Sequence, residues 1–374
     1  MLLSIFFSAL MVSMAVSVIV IRTQHLHGRL SFDNPNGVQK FHASPTPRIG
    51  GVPVVLGLAA AFLTAKFSQD DVGRLNGLLL LTALPVFLAG LVEDISKRVS
   101  PRTRLLAAFC SAGLAAAFTE AILPTLGIPG IDNLIGAWPF VGFVVTVFAV
   151  GGVCHAINII DGYNGLMGGV ALLVTAALAY VALAVGDLPI LVVCLALAAS
   201  IAGFLIWNFP RGLIFAGDAG AYLIGFLLAE ISVLLVARHP GVVSPWFPLL
   251  LLIYPVFETL FSIWRRSKCK MEAVLPDSMH LHQMIYKKLV RWMVGSREAK
   301  HLTRRNSMTA PYLWGVTMCS VMPALLFWKA QWALQVCAVL FATCYVWAYH
   351  RLVTFRSPRS LVLRKSLGRK SPLR

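Results

Sequence analysis

The chain has 374 residues and a formal net charge of +17, yet only 13% of its residues are charged and 58% are hydrophobic. A soluble globular domain carries about a quarter of its residues as Asp, Glu, Lys and Arg, so this composition excludes one and marks an integral membrane protein. Seven cysteines form no CxxC pair and lie mostly in apolar runs, which argues against both a disulfide framework and a cysteine metal site.

A membrane-crossing helix takes about 20 apolar residues. The first run, MLLSIFFSALMVSMAVSVIV, has no basic residue ahead of it and is expected to be a retained span, not a signal peptide. Ten further runs bring the expectation to eleven spans, at 2–22, 50–66, 75–92, 104–122, 138–156, 166–185, 188–207, 219–237, 246–264, 311–328 and 330–350. Gly186-Asp187-Leu188-Pro189 supplies the turn that divides the long run 166–207. Within 265–310, HLHQMIYKKLVRW predicts a short amphipathic helix at the interface, with Met284, Ile285, Leu289 and Trp292 on its apolar side. The tail 351–374, rich in Arg, Lys, Ser and Pro, is expected to be mobile. With no internal repeat, residues 1–350 read as one all-α transmembrane domain, with polar loops at 23–49, 93–104, 156–165, 208–218 and 265–310.

Charge sets the expected orientation. With these spans, 28 of the 32 lysines and arginines fall on one side, and only Lys66, Arg74, Arg238 and Lys329 on the other. Cytosolic loops retain Lys and Arg, so the N-terminus is expected outside and the C-terminus in the cytosol. A charge of +17 also suits nucleic acid, but here it is spread over membrane-flanking loops. That distribution predicts attraction to anionic lipid headgroups and no nucleic-acid partner.

Acidic residues number only fifteen. Glu93, Asp94, Asp161, Asp218 and Glu258 fall at or near the cytosolic ends of spans, whereas Asp70, Asp71, Asp132 and Asp187 fall in outer loops and read as ordinary solvated groups. Ionisable groups at membrane depth mark function by default. In FAGDAGAY, Asp218 stands between two glycines where a loop enters a span: either an N-cap, or a carboxylate holding Mg²⁺ against a phosphate at a helix N-terminus. In GLVEDISKR, Glu93 and Asp94 end a span, either tied to Lys97 and Arg98 or acting as a catalytic pair. In HAINIIDGYNGLMGG, Asn158, Asp161 and Asn164 are three apart and share a face if the turn is helical; alternatively they are turn formers. In PDSMHLHQ, His280 and His282 can donate to phosphate or sugar oxygens, and Glu258 lies seven residues before Arg265, aligned for an ion pair.

At these residues the chain resembles the polyprenyl-phosphate N-acetylhexosamine-1-phosphate transferases, which include the phospho-N-acetylmuramoyl-pentapeptide transferases. The likeness runs from about residue 33 to 290. DNPNGVQKFHASPTPRIGG is similar to the family's DxPN…K.H…P.P..GG, VED at 92–94 to its acidic pair, NIIDGYNGL to its N..DG.DGL, FAGDAG to its FMGDAG, and PVFE…RR with PDSMHLHQ to its acidic helix, Arg pair and histidine motif. Three positions depart from the pattern: Glu93 for an Asp, Asn164 for the second Asp of the DG motif, and Gln283 where relatives often have His.

The resemblance implies a polytopic inner-membrane enzyme whose active site faces the cytosol. A polyprenyl phosphate attacks the β-phosphorus of a UDP-N-acetylhexosamine, with Mg²⁺ or Mn²⁺ as cofactor and undecaprenyl phosphate as the expected lipid. Carried over by position, Asp218 and Asp94 are metal groups, with Glu93 and Asp161 also catalytic. Asn158 and Asn164 line the nucleotide or diphosphate site; Lys40, His42, Arg265, His280 and His282 contact phosphates and sugar-nucleotide. A homodimer is compatible with the sequence. The rival readings are a transporter or flippase for a lipid-linked or anionic substrate, which calls for midplane charges in symmetric halves, and a CDP-alcohol phosphotransferase, whose DGxxAR this chain lacks.

Overall fold

The computed structural model describes residues 1–33, 45–68, 70–268, 279–290 and 302–354. It is an all-α polytopic membrane protein. In chain order the helices are α1 Leu2–Arg22, α2 Gln24–Ser31, α3 Gly51–Ser68, α4 Asp70–Thr82, α5 Leu84–Ser96, α6 Pro101–Thr119, α7 Pro129–Ala137, α8 Pro139–Ile160, α9 Leu166–Ala184, α10 Leu188–Asn208, α11 Gly217–Arg238, α12 Trp246–Leu251, α13 Ile253–Lys268, α14 Leu281–Met284 running into a π-helical stretch Ile285–Val290, α15 Leu302–Leu326 and α16 Gln331–Val353. The only strands among the described residues are a two-residue antiparallel pair, β1 Phe32–Asp33 with β2 Thr46–Pro47.

Each of the eleven expected spans is helical where described, but not each is one straight span. Among the described residues, eight helices are by themselves long and apolar enough to cross a bilayer: α1, α3, α8, α9, α10, α11, α15 and α16. The run 75–92 is a pair, α4 and α5, bent by 48°. Pro85, at the start of α5, donates no hydrogen bond to the preceding turn and its ring crowds the carbonyl four residues back. The run 246–264 is likewise divided into α12 and α13, with Pro255 three residues past the break at Leu252. α6 opens with Arg102 and Arg104 in its first turn, which lowers its apolar content.

α11 is the post around which the others stand. Every residue from Gly217 to Val236 is buried, and the helix touches α3, α5, α6, α8, α9 and α10. Lipid tails offer no hydrophobic drive for helices to associate, so close approach through small residues does the work. Gly90 of α5 lies against the backbone of α11, where an added Cβ would come within 2.6 Å of the Ala219 nitrogen. Gly51 of α3 does the same, 2.5 Å from the Gly220 nitrogen.

Two sequence expectations change here. The stretch after His280 does not turn its apolar side outward: Leu281, Met284, Ile285, Tyr286 and Val290 are buried in the protein core, against α15 and α16. Trp292, and the tail beyond Thr354, lie outside the described residues. Asp187 is not a solvated loop acid. It caps α10 through the Ile190 N–H (3.1 Å) and pairs with Arg238 (3.1 Å) and His239 (3.0 Å), tying the α9–α10 turn to the end of α11.

Glu230 is an acid to which the sequence reading gives no role. It is wholly buried in α11, and neither carboxyl oxygen has a hydrogen-bond partner among the described residues. It lies twelve residues beyond Asp218, about 18 Å along the helix and so near the middle of a bilayer. An unpartnered buried polar group costs about 1–3 kcal/mol. Glu230→Met is therefore expected to raise the thermal midpoint of the detergent-solubilised protein; a fall would show that the carboxyl is partnered in the folded protein.

Candidate active site

The site is assembled at the shared end of α5, α6, α8 and α11. α5 ends on Lys97 in the left-handed conformation. Three residues later Ser100 caps α6, accepting from the Thr103 N–H (3.1 Å), with Pro101 at the first helical position. This tight corner puts Asp94 and Arg104 side by side. The chain at 46–51 runs along 212–216: the Phe215 N–H donates to Pro47 O (2.8 Å), the Gly50 N–H to Phe215 O (2.8 Å) and the Gly51 N–H to Ala216 O (3.0 Å). That pairing carries Arg48 to the start of α11.

Asp94 is fully buried, and its carboxylate caps α11 from outside. Oδ1 accepts from the Asp218 N–H and Oδ2 from the Ala219 N–H, both at 2.9 Å. These are two of the amides that a helix N-terminus leaves without an internal partner. Gly217, immediately before them, has φ +67°, and a Cβ there would collide with Asp94 Oδ2 and the Arg48 carbonyl. Asp218 then projects its own carboxylate into a ring of donors. Oδ1 accepts from Arg48 (3.3 Å) and from the Asn158 amide (3.2 Å), while Oδ2 is held by Arg104. Arg48 also reaches Asp94 Oδ1 at 3.4 Å.

Asp161 follows α8 as its C-cap, and its carboxylate makes no hydrogen bond among the described residues. It is half-buried, and enclosure raises its pKa to about 7, with the Arg48 charge pulling the other way.

A second cluster docks on the same loop. Glu258 Oε1 accepts from the Leu281 N–H (2.8 Å) and pairs with His280 Nδ1 (3.2 Å), which also meets Ser262 Oγ (3.0 Å). Gln283 closes a capping box by accepting from the His280 N–H (3.3 Å). His282 stacks beside His280, its ring edge-on to Tyr163 at 5.7 Å and its Nε2 beside Gly162. The histidine motif thus covers the DG loop.

Several expected site residues have other work. Glu93 turns away from Asp218 and accepts from the Val99 N–H (2.7 Å), holding the α5–α6 corner. Asn164 is buried and joins loops: its backbone N–H donates to Asn306 (2.7 Å) and its amide to Pro210 O (3.2 Å) and Ser307 (3.4 Å). None of these contacts needs a carboxylate, and a carboxylate could not donate to the Pro210 carbonyl. Arg265 does not pair with Glu258; it holds Met279 O and Tyr349 and so anchors the histidine segment to α16. Lys40 and His42 lie outside the described residues.

Sequence reasoning missed Arg48 and Arg104, counted there only as orienting charges. The available signal was position: Arg104 stands at the first residue of an expected span, ten residues after Asp94, where a charge is expensive unless paired.

The donor set consists of carboxylate and amide oxygens, which suits a hard divalent cation. Among the described residues no three His, Cys, Asp or Glu side chains form a self-sufficient metal cage. Mg²⁺ typically takes one or two carboxylates and completes its shell with water and substrate phosphate, so Asp218 fits a cation shared with a phosphorylated substrate. Asp94 is less suited as a first ligand, since both its oxygens are fixed on backbone amides of α11, whereas the Asp218 oxygens are held by side chains.

The glycosyl transferase family 4 model matches residues 77–236. A Thermotoga maritima protein named undecaprenyl-phosphate alpha-N-acetylglucosaminyl 1-phosphate transferase is 30% identical over 260 residues, covering 70% of this chain and 74% of its own. A Bacillus subtilis protein named a probable undecaprenyl-phosphate N-acetylglucosaminyl 1-phosphate transferase is 27% identical over 254 residues (68% and 69%). A decaprenyl-phosphate N-acetylglucosaminephosphotransferase of Mycobacterium leprae is 29% identical over 276 residues (65% and 67%).

Asp161 yields a pH prediction. Its folded pKa lies above the unfolded value, so the folded state holds a proton between about pH 4 and pH 7 that the unfolded chain has lost. The carboxyl form is then a source of stability at low pH that declines as pH rises through 7. Asp161→Asn should match the parent in thermal midpoint near pH 4 and exceed it at pH 8. A gap that stays constant with pH would contradict the raised pKa.

Proposed function

Because the chain belongs to glycosyl transferase family 4, among the polyprenyl-phosphate N-acetylhexosamine-1-phosphate transferases, we propose that it moves an N-acetylhexosamine-1-phosphate from a UDP-sugar to a polyprenyl phosphate. Undecaprenyl phosphate is the lipid favoured, and the product is the first intermediate of a lipid-linked surface glycan. The reading is carried by one observation: Asp94, Asn158 and Asp218 converge with Arg48 and Arg104 at one end of the membrane bundle. Asp161 sits on the adjoining loop. The same end gathers the basic loops, which supports a cytosolic face where a nucleotide sugar arrives. An apolar groove of about 360 Å³ between α8, α11 and the α12–α13 break supports the lipid half of the reaction. Its lining includes Val153, five residues before Asn158, and Val256, two before Glu258.

In the proposed reaction a phosphate oxygen of the lipid bonds to the β-phosphorus of the donor. The bond from that phosphorus to the oxygen bridging to the α-phosphate breaks, and UMP leaves with its electron pair. A phosphate monoester has a second pKa of about 6, so the nucleophile is already largely dianionic at neutral pH and a general base is dispensable. The barrier is the approach of a dianion to a diphosphate. Arg48 and Arg104 offset that repulsion, as fixed charges do in phosphoryl transfer generally. Asp94 orients the start of α11 and thereby Asp218. A Mg²⁺ or Mn²⁺ held by Asp218, with Asp161 free to join, would supply further charge neutralisation at the diphosphate.

The test is lipid-dependent UMP release from purified protein, polyprenyl phosphate and a panel of UDP-N-acetylhexosamines with Mg²⁺. Release with one donor, abolished by chelation and by Asp218→Asn, is the expected result. No release with any donor from folded protein would favour an unusual nucleotide-sugar donor first and the transporter reading second.

A further inference from the structure

Asn158 and His155 lie three residues apart on α8, and Asp218 and Tyr222 four apart on α11, so each pair shares one helix face. The facing residues meet in two rungs one helical turn apart. The upper rung is Asn158 to Asp218 (3.2 Å). The lower is Tyr222 Oη with His155 Nδ1 (3.3 Å), the rings set edge to face at 5.0 Å. Arg104 crosses both rungs: its guanidinium binds Asp218 and stands over the Tyr222 ring, 5.9 Å from the centroid. Such a contact places a cation against the negative face of an aromatic ring.

Packing alone does not favour the lower rung. Tyr222 is buried, and His155 keeps its Nε2 buried without a partner among the described residues. Two apolar side chains would fill the same space without an orphaned nitrogen. What the polar pair adds is direction, because the Tyr222 hydroxyl, bonded to His155, cannot turn the ring away from Arg104.

We propose that Tyr222 and His155 are positioning residues for Arg104, holding its guanidinium at the Asp218 carboxylate and at the place where substrate phosphates gather. The inference rests on the transferase reading above. Tyr222 acts through Arg104, whose guanidinium its ring faces. Tyr222→Leu should lower kcat for UMP release about tenfold, within the roughly hundredfold that a misplacement of about 1 Å can cost, with a smaller change in KM. Tyr222→Phe, which keeps the ring but loses the bond to His155, should fall between the parent and Tyr222→Leu, and His155→Leu should behave like Tyr222→Phe.

The decisive experiment is a double-mutant cycle with Arg104→Gln. If Tyr222 acts through Arg104, Tyr222→Leu has little further effect once Arg104 is gone. Equal fractional losses in the two backgrounds would overturn the proposal and leave the transferase reading intact. The same four proteins are titrated with Mn²⁺ alone, without substrate. Loosening Arg104 from Asp218 should tighten Mn²⁺ binding in the parent background and not in Arg104→Gln. Equal shifts, or none, in both backgrounds would overturn the proposal even if no donor is turned over. Should Tyr222→Leu fail to fold, Tyr222→Phe and His155→Leu carry the same cycle.

Discussion

The bond from the Asp94 carboxylate to the first amides of α11 is the constraint on which the site depends. A helix that begins inside a protein must find acceptors for its leading N–H groups, because no water is at hand to take them. Here the acceptor comes from another helix, α5, so the capping contact also fixes how α5 and α11 sit against each other. That contact is reachable because Gly90 lets the two backbones meet and Gly217 turns the chain into the helix with positive φ. Asp218 is thereby presented at a fixed depth, and Arg48, Arg104 and Asn158 have one target to converge on. An acid placed for capping in one helix decides where the acid of the next one points.

Charge balance explains why the arginines belong to the same unit. Asp94, Asp161 and Asp218 crowd one end of a largely apolar bundle, and three carboxylates cannot all stay ionised there without compensation. Arg48 bonds to two of them and its field reaches the third. Asp161 has no bonded cation among the described residues, and enclosure raises its pKa to about 7. It therefore has the most to gain from a cation arriving with the substrate.

Much of this was legible in the sequence, for reasons that can be named. A bilayer demands long apolar runs, so the helical segments could be located, although among the described residues eight helices, or nine with the bent pair, have the length and apolarity of a span where eleven were expected. It penalises stray charge, so the acids at one membrane face flagged the site before any contact was known. The failures are of a different kind. Glu93 and Asp94 are adjacent in a helix and so point about 100° apart; only packing decides which one meets α11. Asn164 sits in a motif that looks like a substrate-reading loop, yet its partners Pro210, Asn306 and Ser307 lie 46 to 143 residues away, beyond any local pattern. The bends at Ala83 and Leu252 were signalled by Pro85 and Pro255, but apolar length alone read through them.

The departures from the family pattern become understandable on this footing. Glu for Asp at residue 93 is tolerable where the side chain has only to reach the Val99 amide at the α5–α6 corner, and the longer side chain suits that reach. Asn164 gives up a charge and gains two N–H donors, one used on a carbonyl that an aspartate would repel. Gln283 caps His280 rather than facing a phosphate. All three substitutions fall on side chains that hold loops in place, whereas Asp94, Asn158, Asp161 and Asp218 keep the family's residue types. The departures therefore fall on loop-holding side chains, and the ring of groups around Asp218 is built without them.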